Sequence, residues 1–178
     1  MKKIFPLVLL LSLSMAGCAT QVPASSAYNS ANDARIRVYF GTTTNFYFNT
    51  RCEPKKGLPG FGDNGVAVAK PRLLNLSNTT IGMPIPSDAY KYYDEYVVKA
   101  NQPLLITLDT GGSSQTGAVI FSTPRQHVAG VFVPQPGRDY EAFAAAETTR
   151  LRLTVRELHV KDGQVSSELI PFEKPPQC

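Results

Sequence analysis

Histidine is scarce in this chain, with only His127 and His159 among 178 residues, and neither lies in a recognisable motif. Nucleophilic catalysis needs a serine or cysteine on a sharp turn with a base in reach. There is no Gly-x-Ser-x-Gly here, and Ser113 and Ser114 fall in a glycine-rich run. No H-x-x-x-H, C-x-x-C or EF-hand loop is present, so neither a metal nor a cofactor is expected. Long apolar runs are lacking too. The longest, Ile4–Met15, contains Pro6 and falls short of the ~20 residues of a transmembrane helix. Excess charge of one sign is small, 18 Lys and Arg against 14 Asp and Glu. That balance is no footprint for nucleic acid. There is no internal repeat and no convincing amphipathic helix.

What is present begins at the amino terminus. Lys2 and Lys3 precede the apolar run, and Ala16-Gly17-Cys18 follows it. This is the n-region, h-region and small-residue cleavage site of a secretory signal. Cleavage before Cys18 removes both lysines and lowers the formal charge from +4 to +2. The ending Met15-Ala16-Gly17-Cys18 resembles the lipobox of bacterial lipoproteins, with Met15 where leucine usually stands. That resemblance implies lipidation at Cys18 and a membrane partner reached through the lipid. The alternative is a plain secretory signal that leaves Cys18 an ordinary thiol. The small, polar stretch from Ala19 to Asn32 reads as a flexible tether. Ala19 stands where an aspartate would favour inner-membrane retention, so the resemblance implies the outer membrane, facing the periplasm. The chain thus divides into a signal (1–17), a tether (18–33) and one domain (34–178).

Cys52 and Cys178 remain, in an oxidising compartment where disulfides persist. An even pair in an exported domain reads most simply as one bridge. The alternative is a free or intermolecular Cys178 on a frayed Pro175-Pro176-Gln177 tail.

The domain reads as all-β, an antiparallel β-sandwich of immunoglobulin- or transthyretin-like layout. Ile36, Val38 and Phe40 alternate with Arg35, Arg37 and Tyr39, and Asn45–Asn49 alternates again with Phe46 and Phe48 inward. These two segments predict an opening hairpin about Gly41-Thr42-Thr43. Val66–Val68 and Thr79–Gly82 are weaker strand candidates, and Glu95–Ala100 and Pro103–Leu108 flank a tight connection at Asn101-Gln102. Gly111–Gly117 reads as a flexible loop. Asp139–Ala146 follows as a strand, with a helix as the alternative its alanines offer, and Arg150–Arg156 alternates for seven residues before Glu157 breaks the phase, which suggests a bulge. Asp162-Gly163 is a strong hairpin signal, with Val165–Ile170 returning. Gly60–Gly65 matches G-x-G-x-x-G, but it lacks the preceding strand and following helix of a dinucleotide site.

Two features suggest binding. Tyr90, Tyr92, Tyr93 and Tyr96 interleave with Lys91, Asp94 and Glu95, as tyrosines do at interfaces and sugar sites; alternatively they cap the open end of the sandwich. Arg35, Arg37, Arg150, Arg152 and Arg156 all fall on outward phases. With the first and penultimate strands adjacent they would form a basic stripe suited to carboxylate or phosphate groups; alternatively they are a solvated face. Asp88, Asp94 and Glu95 are the carboxylates nearest the aromatic segment, the only opening for glycosidase-like chemistry.

The domain is similar in layout to small proteobacterial β-sandwich lipoproteins, through its Ala34–Val38 opening strand, its Ile81–Pro84 segment and its Val133–Tyr140 turn. The resemblance implies a fold, and none of these motifs carries a chemistry. The resulting expectation is a non-catalytic envelope lipoprotein binding a protein partner or a cell-wall component such as peptidoglycan. An assembly accessory of a secretion or surface system is the alternative, and an envelope hydrolase comes third.

Overall fold

The computed structural model describes residues 27–55, 65–71, 77–116, 119–145 and 150–178. The signal, Cys18, most of the tether and Gly60–Asn64 of the glycine motif lie outside the described residues. The described residues form nine strands and no helix: β1 (Asp33–Tyr39), β2 (Thr43–Phe48), β3 (Val66–Ala69), β4 (Tyr93–Lys99), β5 (Leu104–Thr116), β6 (Val119–Phe132), β7 (Asp139–Ala144), β8 (Leu153–Lys161) and β9 (Gln164–Leu169). They make a two-sheet sandwich, one sheet ordered β4-β1-β7-β8-β9 and the other β3-β2-β5-β6.

Alternation builds the core. Ala34, Ile36 and Val38 of β1 are fully buried, and they meet Phe46 of β2, Leu104, Ile106 and Leu108 of β5, and Val155 of β8. Each such side chain contributes roughly 1.5–3 kcal/mol by leaving water. Phe48 shares the inward phase of Phe46 and touches its ring, but at the strand end it is 40% exposed.

Period-two alternation fixes which face is buried and is silent about the neighbouring strand, and several expectations fail on that point. β1 and β2 are not a hairpin. They belong to different sheets, and Gly41 (φ 126°) lies at the corner between them. β1 pairs antiparallel with β4 and parallel with β7, which the chain reaches only by crossing through the other sheet. The connection at Asn101-Gln102, with Asn101 at φ 59°, also passes between sheets. Gly111–Thr116 is not a flexible loop but the continuation of β5, paired with β6 as far as Thr116–Val119. Thr79–Gly82 contributes a single bridge, Thr79 to Asp94. No bulge marks Glu157: β7 and β8 pair in constant register from Leu153 to Leu158, and Leu158 keeps the outward phase of Arg156. β8 begins at Leu153, so Arg150 and Arg152 precede it. The Asp162-Gly163 hairpin is present, with φ of 52° and 75° as a type I′ turn requires.

Both ends of the described domain are fastened. Tyr28 already stacks on the Arg35 guanidinium at 4.8 Å, and Asn29 caps a turn through the Asp33 carboxylate at 3.0 Å. The folded unit therefore starts several residues before Ala34. At the other end the tail is not frayed. Glu173 exchanges two 2.9 Å backbone bonds with Val131 on β6, Gln177 bridges Glu53, and Cys178 is disulfide-bonded to Cys52 across 126 positions. Gly130 allows this crossing, since a Cβ there would lie 2.5 Å from the Phe172 ring.

The registers give the sandwich two distinct ends. The chain enters β1 at the end that also holds the Lys99–Asn101, Gly137 and Asp162-Gly163 turns. β2 pairs with β5 only as far as Thr43–Asp109, whereas β5 and β6 run on together from Thr110 to Thr116. A two-stranded arm therefore projects from the end opposite the chain entry, by about 20 Å at the usual rise per residue.

Candidate functional site

The arginines are not a basic stripe. β1 and β8 are separated by β7, whose carboxylates interleave with them. Register sets Glu95, Arg37, Glu141 and Arg156 side by side across β4, β1, β7 and β8. Arg37 contacts Glu95 at 2.6 Å and Glu141 at 2.7 Å, all three side chains being at most 1% exposed. Arg156 donates to the second Glu141 oxygen at 2.6 Å and grips Asp88 at 2.7 and 2.9 Å. Arg35 is paired in the same way with Asp139, at 2.7 and 2.8 Å. Arg37, Glu95, Glu141 and Arg156 are buried only because the neighbour of each across the strand is of opposite sign.

A strap covers this ladder. Residues Thr79–Asp88 lie across the outer face and draw their hydrogen bonds from it. Ile81 N and Met83 N donate to Glu95 Oε2 at 2.7 and 3.3 Å, Arg37 donates to Pro84 O at 3.1 Å, and Arg35 donates to Gly82 O at 3.0 Å. The Arg156 guanidinium holds the Asp88 carboxyl below its ordinary range, and the Lys99 ammonium does the same for Asp33. Burial, helped by its bond to Glu141, pushes the Tyr39 phenol up. The carboxylates that suggested glycosidase-like chemistry are thus engaged: Asp88 and Glu95 by arginine, Asp94 by the Thr79 N–H at 2.7 Å.

The four tyrosines do not share a surface, because Tyr93 and Tyr96 lie on opposite phases of β4. Tyr96 faces the core, with its ring 5.8 Å from Phe46 and its hydroxyl on the Val68 carbonyl. Tyr93 is buried against Arg37, whose guanidinium lies 4.5 Å from its ring centroid. Tyr92 is half-buried beneath Lys91. Tyr90, 47% exposed, packs edge-on against Tyr39 and Phe143. These three rings border a shallow pocket of about 290 Å³ beside Ala145. Arg150 and Arg152 are exposed and stand apart from the ladder.

The second opening lies at the root of the projecting arm, on the outer face of the four-stranded sheet. Register lines up Thr43, Asp109 and His127 across β2, β5 and β6. A register shift between Thr110 and Gly112 then bends the arm. Gly111 occupies the bend at φ 82°, where a Cβ would meet the Pro124 carbonyl at 2.1 Å, so only glycine fits. The result is a cleft of about 450 Å³ whose walls include Pro71, Asp109, Arg125 and His127. His127 presents Nδ1 to Asp109 at 2.8 Å and Nε2 to Glu53 at 2.7 Å. Gln177 donates to the other Glu53 oxygen at 3.0 Å, which ties the disulfide-closed tail into the same group.

Sequence reasoning passed over Glu53, Asp109, Arg125 and the ladder carboxylates Asp139 and Glu141. The ladder had a readable signal, since Asp139 and Glu141 alternate in the phase complementary to Arg35 and Arg37. The cleft had none, because Glu53 and His127 meet only through tertiary folding. Asp109 and Glu53 sit on opposite ring nitrogens and do not converge. Among the described residues no group of three or more His, Cys, Asp or Glu is placed to hold a metal ion. Among the same residues no helix is long and apolar enough to cross a membrane. Compared with known proteins, the chain matches no family model, no curated sequence and no solved structure.

Proposed function

We propose that this is a non-catalytic cell-envelope lipoprotein, held by lipid on Cys18 at the outer membrane, whose sandwich binds a protein partner or a cell-wall component. The observation that supports this reading is the arm. The chain enters the domain at one end and the β5–β6 ribbon extends from the other, beyond the last pairing with β2. A two-stranded ribbon is marginally stable in water by itself. Extending one away from the anchored end suits contact with something at a distance from the membrane. Ser113, Ser122 and Thr123, partway along the arm, are exposed and polar, as an element presented to solvent requires.

Two measurements test the reading. Cys18→Ser should move the protein from the membrane fraction to the soluble one; retention in the membrane would remove the anchor from the proposal. A photocrosslinker at Ser113 should give a discrete adduct of fixed mass, or attachment to isolated cell wall, in intact envelopes. The same group at exposed Asp162, at the opposite end, should give none. Equal or absent labelling at the two positions would overturn the binding role of the arm.

A further inference from the structure

β9 is the outermost strand of the five-stranded sheet, and its free edge is left open. Its backbone phase follows from Ile170, whose N–H donates to the Val155 carbonyl at 2.9 Å. In that register Glu168, Ser166 and Gln164 also bond to β8, so Val165, Ser167 and Leu169 aim their N–H and C=O groups away from it. Among the described residues nothing receives them. Other edges are treated differently. β4 is bonded by the Thr79 carbonyl at 2.8 Å, β6 exchanges two bonds with Glu173 at its base, and β3 is four residues long. β9 runs for six residues with no lysine, proline or bulge to discourage pairing. Its side chains are exposed on both phases, Val165 alone being half-buried. Val165, Ser167 and Leu169 share the outer face with Leu158 and Val160, and Leu169 (71%) and Val160 (61%) are the most exposed large hydrophobic residues described. On the other phase Glu168 stands directly across from Glu157. Glu157 has Arg138 at 3.3 Å, whereas among the described residues no lysine or arginine pairs with the exposed Glu168, which has only the His159 ring at 3.7 Å.

From this edge we infer that β9 is a docking strand for an extended segment of a partner polypeptide, which adds to the sheet in antiparallel sense. The segment's residues opposite Val165, Ser167 and Leu169 are apolar, and the one opposite Glu168 is lysine or arginine. Main-chain bonds to the three outward-facing residues supply the affinity, and alternate side chains set the choice of segment. Its apolar phase covers Val165 and Leu169, and its cation answers a carboxylate that β8 meets with another carboxylate. A second copy of this chain is a poorer match. Outward-facing residues pair only with one another, so a full-length two-fold pairing centres on Ser167. That register sets Glu168 against Ser166 of the second copy and brings no cation to it.

The inference deepens the protein-partner reading proposed above and rests on it, but its surface is separate from the arm. The probe is acetyl-Thr-Val-Lys-Val-Thr-Val-Thr-amide, whose lysine falls opposite Glu168 when its valines face Leu169, Ser167 and Val165. It is titrated into the full chain in detergent, and the backbone amide resonances of those three residues should shift and saturate. Methylating the valine amides, which face β9, should weaken binding roughly tenfold or more. Methylating the lysine and threonine amides, which face away, should leave it within about twofold. Lysine replaced by glutamate should weaken it about threefold, and Glu168→Gln should abolish that difference. Ser167→Pro removes an outward donor and no bond to β8, so it should lose the peptide and melt close to the wild type. If that variant does not fold, the methylated peptides on the wild-type chain decide the matter alone. No binding up to millimolar concentration, equal binding of the two methylated peptides, or shifts confined to other residues would each overturn the docking strand. Sedimentation of the chain without peptide should show no dimer through this edge; a dimer that Ser167→Pro dissolves would overturn the partner in favour of a second copy. Crosslinking at Ser113 reads the arm and these titrations read β9, so the two proposals fail separately.

Discussion

Arg37 and Arg125 both leave the sandwich on its outer side, and they end in opposite conditions. Arg37 lies on a sheet face that four strands and a strap cover completely, and it is 0% exposed. Arg125 lies on a two-stranded arm and is exposed. The difference comes from what surrounds each residue, since both occupy a polar phase of an alternating strand. Where β7 places Glu141 beside Arg37 and Arg156, the charges neutralise one another and the strap closes over them. Where β5 supplies Gly111 beside Arg125, no carboxylate among the described residues pairs with the guanidinium and a cleft is left. An outward arginine on a strand is therefore structural or available to a ligand according to its cross-strand neighbour.

That contrast can be broken first at Arg37. Arg37→Ala leaves Glu95 and Glu141 buried and facing one another, and it should cost about 3–5 kcal/mol of unfolding free energy in urea titration. Arg125→Ala is the paired control and should stay within about 0.5 kcal/mol of wild type. A similar loss from both would mean that the ladder and the arm are energetically alike. Removing the Cys52–Cys178 bridge by double serine substitution comes next, at about 2–4 kcal/mol. The tail residues Glu173 and Gln177 should then show the earliest loss of amide-exchange protection.

Gly111→Ala should sharpen the comparison, because beyond Asp109 β2 no longer pairs with β5. Strain at φ 82° and the clash with Pro124 should cost about 1–3 kcal/mol, confined to the arm. Hydrogen exchange should quicken from Thr110 to Gln126 and remain slow in β1 and β7. The smallest effect concerns acid. Lys99 and Arg156 lower the pKa of Asp33 and Asp88 in the folded protein, so folding is favoured above the unfolded carboxyl value of about 3.9. That contribution is lost as pH falls through the folded values. The melting temperature should thus decline below about pH 4, and Asp88→Asn should reduce the decline; an unchanged slope would remove the Asp88–Arg156 latch from the account.

Much of the fold was legible, because burial on one face writes itself as period two. Ile36 and Val38, Phe46, and the β8–β9 hairpin about Asp162-Gly163 are all where alternation and turn chemistry put them. Pairing was not legible. Nothing in Arg35–Phe40 distinguishes a strand followed by a hairpin from one that pairs with β4 and β7 across the chain. The Gly111–Thr116 stretch is polar throughout and carries no hydrophobic alternation that would mark it as a strand. The candidate sites were the least legible of all. The tyrosines of β4 are close in sequence yet split between core and outer face, and His127 of the cleft meets Asp109 and Glu53 from two other segments.

The sequence by itself determined that this is an all-β sandwich, since alternation and turn residues are local facts; the pairing of Cys52 with Cys178 was one of two readings until the structure joined them. Only the tertiary structure decided what its charges do. Whether an arginine lies sealed in a ladder or open in a cleft depends on the strand beside it, and that neighbour comes from a part of the chain roughly a hundred residues away in the case of Arg37 and Glu141.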